Sequence, residues 1–159
     1  MLSEETRNRI LESAKHYPES RSAVLPALYA VQQDQGFITE EGMREVAELL
    51  DISHSDVDGI ATFYTLLFKR PVGRYVIEVC TTLSCALLGA EHLLDYLSKK
   101  LGVKVGETTP DGMFTLRSSE CLGDCGRAPV MMVGDTYYED LTPEKLDNIL
   151  DELRKKAEE

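Results

Sequence analysis

Arg74-Tyr75-Val76-Ile77-Glu78-Val79-Cys80-Thr81-Thr82-Leu83-Ser84-Cys85 is the stretch on which the fold turns. Its first residues alternate, with Tyr75, Ile77 and Val79 opposed to Val76 and Glu78, which is the period of a strand with one face in a core. The strand ends on one cysteine, and a four-residue loop leads to a second. From Cys85, Leu87, Ala90, Leu94, Leu97 and Leu101 recur on one helical face until Gly102 closes the run. One thiol therefore stands at a strand end and the other at a helix start.

Working outward, Lys69-Arg70-Pro71-Val72-Gly73 marks a boundary, punctuated by proline and glycine and followed by a change of hydrophobic period. Downstream come Val103 to Val105, a turn at Thr109-Pro110-Asp111-Gly112 and a strand from Met113 to Ser119. A hairpin of Val130–Val133 and Thr136–Tyr138 follows around Gly134-Asp135. A last helix starts at Thr142-Pro143, cap then first-turn proline, and carries Leu146, Ile149, Leu150 and Leu153. This half predicts a four- or five-stranded mixed sheet with two helices on it, an α/β (α+β) architecture. Upstream the pattern is helical. Ile10, Leu11, Ala14 and Tyr17 form one stripe, Val24, Leu25, Leu28 and Tyr29 a second that Gly36 ends, and Met43, Val46, Ala47 and Leu50 a third capped by Thr39. Ser53 to Asp56 has the form of a cap for a short helix through Val57 and Ile60. Ala61 to Phe68 is apolar and aromatic and reads as a segment packed at the domain junction. The expected domains are a helical one over 1–70 and a sheet-bearing one over 71–159.

Composition bounds the function. The 159 residues are 43% hydrophobic and 28% charged, as in an ordinary globular protein. The net charge of −11 argues against binding nucleic acid or an anionic membrane, which reward clustered Lys and Arg. No secretory signal or membrane span is legible, so the chain is read as cytoplasmic, without direct membrane insertion. In a reducing compartment, paired cysteines are more often metal ligands or redox thiols than structural bridges.

The chain has four cysteines, Cys80, Cys85, Cys121 and Cys125, in two pairs separated by 35 residues. If the strands before them are neighbours, the loop Thr81–Ser84 faces the loop Leu122–Asp124 and four thiolates converge. Four thiolates suit a [2Fe-2S] cluster, two to each iron, whose total charge is about −2 oxidised and about −3 reduced. An anionic centre calls for donors and shielding. Cys85 at a helix start feels the positive end of the helix dipole, and Gly123 and Gly126 can aim amides at sulfur. Leu83, Leu87, Leu122 and Pro129 are placed to exclude water, Arg127 to compensate charge, and Asp124 to make reduction harder. Zinc takes the same four thiolates, but knuckle ligands usually come as Cys-x2-Cys, a spacing absent here. The same absence argues against a dithiol oxidoreductase.

Ala61-Thr62-Phe63-Tyr64-Thr65 running into Pro71-Val72-Gly73, then Val79-Cys80-Thr81-Thr82 with Cys85, Cys121-Leu122-Gly123-Asp124-Cys125-Gly126-Arg127-Ala128-Pro129, and Tyr137-Tyr138-Glu139-Asp140-Leu141-Thr142-Pro143-Glu144 resemble one family closely. It is the E subunit of bacterial NADH:quinone oxidoreductase, respiratory complex I. The resemblance implies an N-terminal helical bundle followed by a thioredoxin-like [2Fe-2S] ferredoxin domain, with Cys80, Cys85, Cys121 and Cys125 as ligands of one cluster. It further implies a flavin-binding F subunit as partner, holding the FMN and the NADH site, in the peripheral arm of a membrane-bound complex. The equivalent subunit of an NAD-linked hydrogenase or formate dehydrogenase is the alternative within the class, and a structural zinc or assembly module the alternative outside it. Two departures stand out: Ser84 where the family often has proline, and Asp124 where it has a small residue.

Other candidates are weaker. His16, His54 and His92 are scattered outside the cysteine pairs. Ser53, His54 and Asp56 are adjacent in sequence, which capping explains better than a catalytic triad. Lys69 and Arg70 read as an exposed linker. No Gly-x-Gly-x-x-Gly or Walker sequence occurs, so no nucleotide or flavin site is expected on this chain, nor NADH oxidation by the chain alone.

Overall fold

A computed structural model describes residues 1–158 and divides the chain into two compact units, Met1–Pro71 and one beginning at Val72.

The first unit is helical: α1 (Glu4–Ala14), a 3₁₀ turn (Ser20–Ala23), α2 (Val24–Gln35), α3 (Glu40–Leu50) and α4 (His54–Phe63). Three helices begin on a hydroxyl that accepts an early backbone N–H. Ser3 takes that of Thr6 at 3.2 Å, Thr39 that of Gly42 at 2.9 Å, and Ser53 that of Asp56 at 3.2 Å. Gly36 closes α2 with a φ of 80°, where only glycine is unstrained. The stripe of α3 is buried as expected. That of α1 is not: Leu2, Thr6 and Ile10 are buried, whereas Leu11 and Tyr17 are exposed. Glu45 on α3 sets this rotation by accepting the Leu2 N–H at 2.9 Å and the Arg7 guanidinium at 2.5 Å. The segment from Ala61 to Phe68 is also more exposed than its composition suggests. Ala61 and Leu67 are buried, but Phe63, Tyr64 and Leu66 face outward.

The second unit holds β1 (Tyr75–Cys80), α5 (Leu83–Leu87), α6 (Ala90–Leu101), β2 (Phe114–Ser119), β3 (Met131–Val133), β4 (Thr136–Tyr138) and α7 (Pro143–Glu158). Four strands form one mixed sheet in the order β2-β1-β3-β4. Val103 to Val105 adds no fifth strand. β1 and β2 run parallel, which requires a crossover between them, and α5 and α6 lie in that connection. β3 is antiparallel to β1, and the β3–β4 hairpin forms as the Gly134-Asp135 turn predicts. Ile77, Val79, Phe114, Leu116, Met131 and Val133 cover one sheet face and share a core with Leu93, Leu97, Leu146 and Leu150 from α6 and α7. The outward face of β1 departs from simple alternation. Glu78 is 5% exposed because β1 is an interior strand, and its carboxylate meets Arg117, its register partner on β2, at 3.1 Å. Burial pushes the Glu78 carboxyl above its ordinary range, against the pull of Arg117.

Candidate metal centre

The parallel pairing of β1 and β2 decides where the thiols go. The last register pair is Cys80 with Ser119, so the loops leaving the two strands start side by side. In open α/β sheets this carboxyl edge is where ligands gather. Backbone bonds on both flanks pin β1 up to its terminal thiol. The Cys80 N–H reaches the Val130 carbonyl at 3.1 Å, and the Thr81 N–H reaches that of Ser119 at 3.0 Å. Thr82 bridges the two loops by donating its hydroxyl to the Glu120 carbonyl.

Cys80 and Cys85 are buried in a small core of their own with Ala90, Ala128 and Val130, against which Leu122 packs. Burial pushes the Cys80 thiol up. This is outweighed by the backbone N–H groups of Thr82 and Leu122, with help from the Cys85 thiol and Thr82 hydroxyl, and the net shift is downward. For Cys85 burial prevails. Its thiol is raised despite the Val130 N–H, and negative charge on Cys80 and Cys125 raises it further. Cys85 thus feels both Cys80 and Cys125 electrostatically.

The helix expected to run unbroken from Cys85 is two helices. Gly89 adopts a φ of 91° between α5 and α6, and the buried stripe starts at Ala90 and passes through Leu93 rather than Leu94. Cys85 therefore lies within a five-residue helix and does not open a long one. The dipole of a long helix is not aimed at it, and the Val130 amide takes over as donor.

Cys121 and Cys125 are exposed, on the loop that follows β2. Gly123, at a φ of 79°, turns its N–H onto the Cys121 sulfur at 3.4 Å. Gly126 lies in the 3₁₀ turn Cys125–Arg127 and is not left-handed. Arg127 is committed elsewhere, with its Nη1 2.6 Å from Glu139 and its Nε 3.9 Å from Asp124. Asp124, Glu139 and Asp140 all act on Arg127, and Lys145 Nζ reaches the Glu139 carbonyl at 2.9 Å, so the compensation expected from Arg127 is absorbed locally.

Of the four apolar residues expected to shield the site, Pro129 is buried and Leu122 half-buried, but Leu83 and Leu87 are 75% and 79% exposed. None of the three histidines joins the thiols. His16 and His92 are exposed, and His54 Nε2 lies 3.2 Å from Glu40 in the other unit. Lys69 is an ion-pair partner of Asp58 at 2.6 Å. Among the described residues no set of three or more His, Cys, Asp or Glu side chains closes around a single ion-sized point. The backbone gathers the thiols at one sheet edge without forming a finished coordination sphere. The donor set fits an anionic thiolate-held group, with backbone N–H groups of Thr82, Leu122, Gly123 and Val130 directed at sulfur. Sequence reasoning missed three of these amides, since a backbone N–H leaves no trace in residue type.

The pattern of the thioredoxin-like [2Fe-2S] ferredoxin family matches residues 10–154. The chain belongs to that family. Its relatives include the NADH-quinone oxidoreductase E subunit numbered 2 of Rhizobium meliloti (strain 1021), 45% identical over 148 residues that cover 93% of this chain and 88% of the relative. NADH-quinone oxidoreductase subunit 2 of Thermus thermophilus is 46% identical, over 89% of this chain and 79% of the relative. The E subunit of the Escherichia coli K12 enzyme is 39% identical, over 96% and 92%. Among solved structures, an NAD+-reducing [NiFe]-hydrogenase in its air-oxidized state matches with a TM-score of 0.69 at 18% identity, over 86% of this chain and 23% of that longer one. This last likeness concerns the fold. Among the described residues no helix is long and apolar enough to cross a membrane.

Proposed function

We propose that this chain is the [2Fe-2S] electron-transfer subunit of an NADH-quinone oxidoreductase. In this reading it holds one cluster on Cys80, Cys85, Cys121 and Cys125 and exchanges electrons with the FMN of a flavin-binding F subunit. Residues 71–159 form the ferredoxin domain and 1–70 its helical companion, in the peripheral arm of the complex. The observation that carries this is the parallel register that ends on Cys80 and Ser119, which brings both cysteine pairs to one edge of the sheet. The relatives named as E subunits support the assignment to such a complex.

When bound, a [2Fe-2S] cluster takes up and releases a single electron. The chain's own contribution is to hold it and to adjust its surroundings. Amides directed at the Cys80, Cys85 and Cys121 sulfurs stabilise negative charge there. The acids Asp124 and Glu139 oppose it, with Arg127 between them. Leu83, Leu87 and Leu88 form an exposed apolar surface beside the buried pair. In this reading they meet the flavin subunit, which would supply the water exclusion that the isolated chain lacks.

The reading is tested by expressing the full chain with and without the flavin subunit. NADH oxidation requires the hydride acceptor, so it is expected from the pair and not from this chain. Steady NADH turnover by the pure chain without added flavin overturns the division of labour.

A further inference from the structure

We infer that Tyr137 is a positioning residue that tunes the reduction potential through the Leu122–Gly123 peptide, an inference that rests on the cluster assignment above. The Leu122–Gly123 peptide is hydrogen-bonded at both ends. Its N–H, that of Gly123, reaches the Cys121 sulfur at 3.4 Å, and its carbonyl, that of Leu122, accepts the Tyr137 hydroxyl at 2.9 Å. Tyr137 is in turn fixed by its strand register opposite Met132. The chain beyond it clamps the far end of the same loop, Glu139 onto the Arg127 guanidinium at 2.6 Å and the Asp140 N–H onto the Arg127 carbonyl at 2.8 Å.

Asp140 makes its bond at a φ of 46°, a region that costs a non-glycine residue about 1 kcal/mol and persists where surrounding bonds over-determine it. The loop that carries Cys121 and Cys125 is thus held at both ends by one segment. Through the Leu122 carbonyl that segment also orients the Gly123 donor on the Cys121 sulfur.

The consequence has a sign. A hydrogen bond to a ligating sulfur favours the more negative, reduced cluster, so weakening the Gly123 donor lowers the potential. Tyr137→Phe deletes the hydroxyl and keeps an exposed ring, which leaves the fold in place. The experiment compares full-length wild type, Tyr137→Phe and Tyr96→Phe. The last is a control, because it deletes a hydroxyl bonded to Asp147 at 2.7 Å between α6 and α7.

Tyr137→Phe is expected to keep its iron, to show a more negative midpoint in EPR-monitored titration, and to lose iron to EDTA about three- to tenfold faster, the weight of one hydrogen bond. Amides 121–127 are expected to exchange hydrogen faster in this variant, with Tyr96→Phe at wild-type values throughout. An unchanged midpoint, with or without faster exchange, overturns the inference, as does an equal shift in Tyr96→Phe. Wild type that binds no iron overturns the cluster assignment and this tuning role together; the exchange rates then report only whether the loop is braced.

Discussion

The two cysteine pairs are held by opposite means. Cys80 and Cys85 are part of a core: one ends an interior strand, the other lies in a short helix, and both are buried among Ala90, Ala128 and Val130. Cys121 and Cys125 belong to no core and lie on an exposed glycine-bearing loop that hydrogen bonds and an ion pair hold in place. Packing makes the first pair a fixed floor. Directional polar bonds make the second pair a clasp, cheaper to perturb and easier to tune.

The largest expected effect breaks this contrast most directly. Cys85→Ser places a hydroxyl in an apolar pocket as well as removing a proposed cluster ligand. It is expected to abolish iron retention and to destabilise the fold by about 1–3 kcal/mol, read as a lower melting temperature. Cys121→Ser removes an exposed thiol and is expected to alter or weaken the cluster's EPR spectrum while the melting temperature stays within about 2 °C, the range for a surface change. Equal melting temperatures for the two variants contradict the floor-and-clasp distinction.

Gly123→Ala tests the clasp next. Its Cβ would meet nothing, so the expected cost of about 1–2 kcal/mol is the left-handed backbone alone, at a φ of 79°. Calorimetry should find that loss, together with faster iron release to a chelator.

A smaller and more selective effect is expected at the surface beside the floor. Leu83→Ser with Leu87→Ser should leave iron content and melting unchanged but reduce recovery of the flavin subunit on co-purification. Loss of iron in this double variant would mean that these leucines shield the site within the chain. Smallest of all is His92→Ala, an exposed residue of α6 for which wild-type iron content and EPR spectrum are expected.

Much of this was legible along the chain because it depends on near neighbours. The alternation of β1, the Gly134-Asp135 turn and the α7 stripe of Leu146, Ile149, Leu150 and Leu153 are local patterns that the folded unit keeps. The cysteine spacing pointed to two loops, and the parallel pairing of β1 and β2 starts them side by side. What escaped depends on the third dimension. Leu87 continues the α6 periodicity on paper, yet Gly89 turns the chain first and leaves Leu87 in solvent. Glu78 alternates as an outward residue, but neighbours on both sides bury it. Arg127 looked free to face a cluster until the chain after β4 brought Glu139 against it. Tyr137 shares no motif spacing with the cysteines, and only the hairpin register delivers its hydroxyl to Leu122.

The central claim is that the floor and the clasp close on one two-iron cluster. Iron, zinc and acid-labile sulfide analysis of the anaerobically purified full chain, with EPR after reduction, tests it most directly. The account predicts a red-brown protein with about two irons and two sulfides per chain and a reduced-state signal that Cys80→Ser removes. A colourless protein carrying stoichiometric zinc on the same four cysteines would contradict it.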